Sequence, residues 1–351
     1  MELLSLAEAI QRHVQDGKSV ALEGFTHLIP HAAAHEIIRQ QRRNLHLIRM
    51  TPDLIYDQLI GAGCVRKLVF SWGGNPGVGS LHRFRDAVER SWPGPLELEE
   101  HSHAGMANRY VAGASGLPFA VLRGYSGTGL MDDTIEPGHP SIKSIACPFT
   151  GEVLTAVSAL NPDVAIVHAQ RADVHGNVQL WGITGVQKEA VLAARRSVVT
   201  VEEVVPELDP RPGAVVLPTW TVSYVAEVPG GSRPSYALGY YDRDNDAYQA
   251  WDPIARDRDR FLRWLDTEIY GAGQNSASGS MMQISCPRLS RHHLPFSTTT
   301  LQLKPLSPRF VTATQRRGQR TPRSHCPVAQ NSTASTAPPI NASFSPVSTA
   351  Q

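Results

Sequence analysis

The chain has 351 residues, 41% apolar and 19% charged. That is enough to pack one large domain or two modest ones, and it excludes a wholly disordered or fibrous protein. The 33 Lys and Arg against 32 Asp and Glu give a formal net charge of +1, which on its face argues against a nucleic-acid binder.

That average conceals a split. Residues 273–351 hold seven Arg, Lys304 and no acidic residue, a net of +8. Residues 1–272 therefore hold 25 basic against 32 acidic residues, a net of −7.

Residues 6–14 place Leu6, Ala9, Ile10 and Val14 at helical spacing, and Asp16-Gly17 stops the helix. Ser19-Val20-Ala21-Leu22 reads as a short buried strand. The loop Gly24-Phe25-Thr26-His27-Leu28-Ile29-Pro30 leads into a helix over 31–40. Strands are expected at 45–48, 67–71 and 96–99, with helices at 54–62, 82–90 and around 107–114. Residues 164–168, 198–202 and 214–217 are continuous apolar runs of the kind buried on both faces of a parallel sheet. A last amphipathic helix over 257–270 turns Phe261, Leu262, Trp264, Leu265 and Ile269 inward. Short strands alternating with helices predict an α/β fold: an open, largely parallel sheet with helices on both faces.

Beyond residue 272 periodicity vanishes into runs such as Ser332-Thr333-Ala334-Ser335-Thr336. The expected organisation is one domain over 1–272 and a basic, Ser/Thr/Pro-rich tail over 273–351 that is disordered. The tail lacks any acid over its whole length, as out-of-frame translation at the end of a GC-rich gene would. Arg316, Arg317, Arg320 and Arg323 have no aromatics or fold around them, so no nucleic-acid partner is expected.

The start, Met1-Glu2-Leu3-Leu4, is acidic and amphipathic, and no run approaches the roughly 18 apolar residues of a membrane helix, so neither a secretory leader nor a membrane span is expected. Cys64, Cys147, Cys286 and Cys326 are scattered without metal-ligand spacing. A reduced, cytoplasmic protein without a metal is the expectation.

Four loops carry the candidate chemistry. Gly24-Phe25 follows a strand and precedes a helix, where a glycine lets the backbone approach a ligand. It fits neither the dinucleotide nor the phosphate-loop fingerprint. Ser71-Trp72-Gly73-Gly74-Asn75 ends a strand with Ser71 and Asn75 as hydrogen-bond donors. Glu99-Glu100-His101-Ser102-His103 gathers groups suited to acid–base or oxyanion chemistry. It is not a nucleophile elbow, and two His at i and i+2 are a poor metal signal. His168-Ala169-Gln170-Arg171-Ala172-Asp173-Val174-His175-Gly176-Asn177 reads equally as a functional loop and as a turn held by its own side chains.

Taken jointly, these loops and Ala112-Gly113-Ala114-Ser115-Gly116-Leu117-Pro118-Phe119 resemble the type I coenzyme A transferases, specifically their alpha subunits. Residues 21–39 are similar to the glutaconate CoA-transferase branch. The resemblance covers residues 1–272 and implies a sheet of the NagB/ribose-isomerase kind. It also implies a beta subunit whose glutamate attacks the acyl-CoA and becomes a glutamyl-CoA thioester, in an α2β2 assembly working on carboxylic acids. No Glu-Ser-Gly or Glu-Asn-Gly occurs here, so the nucleophile is expected on the partner.

By the same resemblance His103 falls where the family places an oxyanion donor. Ser71 would meet the acceptor's distal carboxylate. Gly24 and Phe25 would shape the acyl and pantetheine pocket, and Gly73, Gly74, Asn75 and Ser102 would complete the binding surface. Coenzyme A is implied as substrate, with no resident cofactor. Two rival readings remain: one chain of a ring-cleaving CoA-thioester hydrolase, which would use Glu100, and a non-catalytic binding protein of the same fold.

Overall fold

The computed structural model describes residues 2–75, 79–131 and 139–271, and the expected tail over 273–351 lies outside them. The elements run in chain order as β1 (Glu2–Leu3), α1 (Leu6–His13), β2 (Ser19–Glu23), α2 (His31–Arg39), β3 (Leu45–Ile48), α3 (Leu54–Gly61), β4 (Val65–Phe70), α4 (His82–Arg90), β5 (Glu97–Glu100) and α5 (His103–Ala114). They continue with β6 (Phe119–Leu122), β7 (Ile142–Ala146), β8 (Val153–Ser158), β9 (Val164–Asp173), β10 (Val178–Leu180), α6 (Gln187–Ala193), β11 (Arg196–Val205), β12 (Val215–Leu217), β13 (Tyr224–Glu227), α7 (Asn245–Arg256) and α8 (Arg258–Trp264).

Eight strands form one parallel run in the order β1-β13-β11-β9-β2-β3-β4-β5, and the β10–β12 pair extends it antiparallel from β9. Strand periodicity sorts the side chains. On β2, Val20 and Leu22 pack with Ala33, Ile37 and Ile38 of α2 and Ile55 and Leu59 of α3. Ala21 between them faces the other way, toward Met106 and Tyr110 of α5 and Ala190 and Ala193 of α6. The alanines let α5 and α6 lie close to the sheet. Helices therefore cover both faces, as the alternating pattern predicts.

β2 and β9 are neighbours, yet the next helices after them, α2 and α6, lie on opposite faces. Such a reversal opens a crevice at the carboxyl ends of the strands.

Several expectations need correction. α5 begins at His103 rather than near 107, because the Ser102 hydroxyl accepts the Gly105 N–H at 3.0 Å and caps the helix a turn earlier. Residues 214–217 do not form a strand buried on both faces: β12 is antiparallel to β10 and leaves Val216 half exposed. Leu262 is exposed, whereas Phe261, Leu265 and Ile269, spaced by four, are buried. A one-residue step turns a helix position by about 100°, which carries Leu262 off the core stripe. Residues 119–158 hold a second sheet, β6-β8-β7, that the periodicity did not signal. Among the described residues no helix is long and apolar enough to cross a membrane.

Candidate active site

The carboxyl ends of β2, β3, β4 and β5 are laced together by hydrogen bonds. Glu23, the last residue of β2, accepts the Met50 N–H at 3.1 Å and the Tyr110 hydroxyl at 2.8 Å, both on Oε1. The Met50 carbonyl in turn accepts the Ser71 N–H at 3.1 Å and the Ser71 hydroxyl at 2.6 Å. The His101 N–H donates to the Phe70 carbonyl at 2.7 Å. A peptide of β3's end thus joins β2 to β4, and β4 joins β5.

The loop after β2 is held from below and from the side. Arg49, fully buried, donates to the Gly24 carbonyl at 2.7 Å and to both Asp53 oxygens at 2.9 and 3.1 Å. A Cβ at Gly24 would meet the Leu28 carbonyl at 2.7 Å, so the tight return of this loop needs glycine. His27 is buried and in one tautomer: its Nδ1–H donates to the Ile183 carbonyl at 3.0 Å and its Nε2 accepts the Leu238 N–H at 3.0 Å. Phe25 is partly exposed over this loop.

Burial pushes the Glu23 carboxyl up to about 7, against the pull of the Arg49 guanidinium and the bonds from Tyr110, Met50 and Gly24. At neutral pH this carboxyl carries a proton for part of the time. The sequence reading did not single this carboxyl out. The signal available was a carboxylate closing an otherwise apolar strand that the fold buries.

The third loop rests on a buried ion cluster. Glu99 faces Arg109 at 2.7 Å, Lys67 at 2.9 Å, His101 Nε2 at 3.1 Å and the Ser141 hydroxyl at 2.6 Å. Burial alone would raise its pKa, but His101, Arg109, Ser141 and Lys67 together hold it well below the usual carboxylate range. Burial lowers His101 to about 4, so its imidazole is neutral. The Tyr125 hydroxyl accepts the Ser102 N–H at 3.0 Å and lies 3.1 Å from His101 Nδ1.

The candidates named from the sequence take separate places on this crest. His103 is exposed at the first position of α5, where helix amides favour negative charge. Ser102 is the cap of that helix, its hydroxyl oxygen accepting the Gly105 N–H. Ser71 already donates its proton to the Met50 carbonyl. Trp72 folds over Gly74, and Gly73 lies near Phe70 and Leu81. Asn75 is buried. Glu100 is exposed at the end of β5, and its carbonyl accepts from His139 Nε2 at 2.9 Å.

In the fourth loop the side chains brace the turn itself. Asp173 accepts the His175 and Asn177 N–H groups at 3.0 and 2.9 Å, and His168 is buried between Thr200 at 2.8 Å and Glu202 at 2.7 Å.

Chemically, the crest offers backbone donors, a helix N-terminus and a shielded carboxyl that is neutral part of the time. Among the described residues no three His, Cys, Asp or Glu side chains converge as metal ligands.

Residues 3–228 match the family model described as coenzyme A transferase. The chain is 66% identical over 270 residues to the A-type chain of the 3-oxoadipate CoA-transferase of Pseudomonas knackmussii, covering 77% of this chain and 94% of that one. It is 32% identical to the A-type chain of the glutaconate CoA-transferase of Acidaminococcus fermentans, over 74% of this chain and 85% of the relative. The crystal structure of the Acidaminococcus fermentans glutaconate CoA-transferase superposes with a TM-score of 0.70 at 28% identity, over 80% of this chain and 93% of that one.

Proposed function

Because this chain belongs to the coenzyme A transferase family, as the A-type chain of a CoA-transferase, we propose that it helps move CoA from a dicarboxylic acyl-CoA to a 3-oxo dicarboxylic acid of the 3-oxoadipate kind. The supporting observation is the 66% identity to the 3-oxoadipate enzyme's chain, against 32% to the glutaconate enzyme's.

In this reading the nucleophile is a glutamate of a partner subunit. Its carboxylate attacks the thioester carbonyl, the C–S bond breaks, and CoA thiolate leaves an acyl–glutamyl anhydride. The thiolate attacks the glutamyl carbonyl, which releases the first acid and leaves glutamyl-CoA. The acceptor carboxylate attacks that thioester to give a second anhydride and free thiolate. The thiolate then attacks the acceptor's acyl carbon, and the glutamate returns unchanged.

Each attack places negative charge on a carbonyl oxygen. His103 and the first-turn amides of α5 are proposed to donate to it. Ser71, Gly73, Gly74 and Asn75 are proposed to line the acceptor's distal end, with Gly24 and Phe25 beside the acyl and pantetheine portion. CoA is a substrate here, and the reading assigns no resident cofactor. It includes an α2β2 assembly in the cytoplasm.

The test is a kinetic comparison of the two-chain enzyme with 3-oxoadipate and glutaconate as acceptors. The expected result is a kcat/KM at least tenfold higher for 3-oxoadipate. Equal or reversed values would overturn the substrate assignment.

A further inference from the structure

Phe149, at the tip of the hairpin joining β7 and β8, is 94% exposed, the most of any large apolar side chain among the described residues. Val153 at the hairpin's base is also exposed. Single exposed apolar residues are ordinary on protein surfaces. This one is held out by a braced support. The Cys147 N–H donates to the Glu152 carbonyl at 2.8 Å, and the Gly151 N–H donates to the Cys147 carbonyl at 2.9 Å. Arg123 grips the Glu152 carboxylate through bonds of 2.9 and 3.0 Å.

Strand register shows which end of the molecule the tip occupies. β6 runs from Phe119 to Leu122 and leads to Tyr125, whose hydroxyl lies on the first turn of α5 beside Ser102 and Gly105. Leu122 pairs with Thr155, and Ala146 pairs with Val153. Residues 147–152 therefore stand beyond the level of Leu122, on the same side of the molecule as the α5 N-terminus. That is the carboxyl edge of the main sheet, where β5 hands the chain to α5.

We propose that Phe149 is an anchor by which this chain grips the subunit that delivers the nucleophilic carboxylate. The inference rests on the two-chain reading above. A nucleophile that this chain lacks must arrive at the carboxyl edge from outside, and whatever carries it faces that edge. A rigid aromatic on a braced hairpin there has the chemistry of an interface hot spot, buried in an apolar pocket of the facing chain. Folding gains nothing from Phe149 in the isolated chain, so its loss acts on assembly alone.

The experiment co-expresses the full chain with its B-type subunit. Phe149→Ala is expected to weaken assembly more than tenfold while the isolated chain keeps its thermal midpoint. A photoreactive p-benzoylphenylalanine at position 149 is expected to cross-link to the B-type subunit. An unchanged dissociation constant for Phe149→Ala, or a cross-link to a second copy of this chain, would overturn the proposal. A wild-type chain that assembles with no B-type subunit would instead contradict the two-chain reading itself.

Discussion

Glu23 ties the crest together, because one oxygen serves the backbone of β3's end and the hydroxyl of Tyr110. With its carboxyl raised to about 7 from an ordinary 4.5, the folded protein keeps a proton that the unfolded chain has released between those values. Its contribution to stability is therefore fully present below about 4.5, falls as pH rises through the window, and levels off above 7. Burial of His101 in its neutral form gives the opposite slope below pH 6.5, so the effect is read as a difference between proteins. Glu23→Gln keeps the accepting oxygen and removes the charge. Chemical denaturation at pH 4.5 and pH 8 is expected to show the variant gaining on the wild type, by on the order of 2–3 kcal/mol. Glu23→Ala leaves the Met50 N–H and the Tyr110 hydroxyl without their acceptor, and is expected to cost about 1–3 kcal/mol for each group.

Gly105 gives a second test at this scale. A Cβ there would run into the Tyr125 hydroxyl. Gly105→Ala is expected to destabilise by about 1–3 kcal/mol. Tyr125→Phe alone costs about 1 kcal/mol, since the Ser102 N–H loses its acceptor. Combined, the two should cost less than their sum, because removing the hydroxyl makes room for the methyl; a double-mutant cycle measures the difference. The residues that could be read from sequence were those at strand ends in glycine-rich loops. Glu23, Arg49, Tyr110 and Tyr125 escaped because their roles come from contacts between segments distant in the chain, which no local pattern carries.

At the scale of elements, strands and helices with strong periodicity were legible: β2, α2, β3, α3, β4 and α4 lie within two residues of where the pattern puts them. The small sheet of β6, β7 and β8 was not, because none of its strands carries a clean two-residue period: β6 buries no residue, β7 only Ile142, and β8 the consecutive Thr155, Ala156 and Val157. The start of α5 was missed because its cap, Ser102, sits in a polar run that reads as loop. Helix phase in α8 is open to a direct check. Phe261→Ala is expected to cost about 3–5 kcal/mol. Leu262→Ser, one position on, is expected to cost only on the order of 1 kcal/mol, since that side chain is already about half exposed. Thermal unfolding of the two variants separates a correct from an incorrect phase.

For the molecule as a whole, the −7 of residues 1–272 and the +8 of residues 273–351 belong to different things. The family match over 3–228 lies wholly in the acidic part. Fold class and family were legible there because four loops at strand ends match jointly, although each taken alone is an ordinary turn. The substrate was not legible, because no local pattern of residue types in the sequence distinguishes one carboxylic acid from another.

The division of labour between two chains is tested most directly by mass spectrometry of both after incubation with an acyl-CoA and reduction by borohydride. The expected result is a modified glutamate on the partner subunit, none on this chain, and no CoA transfer by either chain alone. Turnover by this chain alone, or modification of its own Glu23, Glu99 or Glu100, would contradict it.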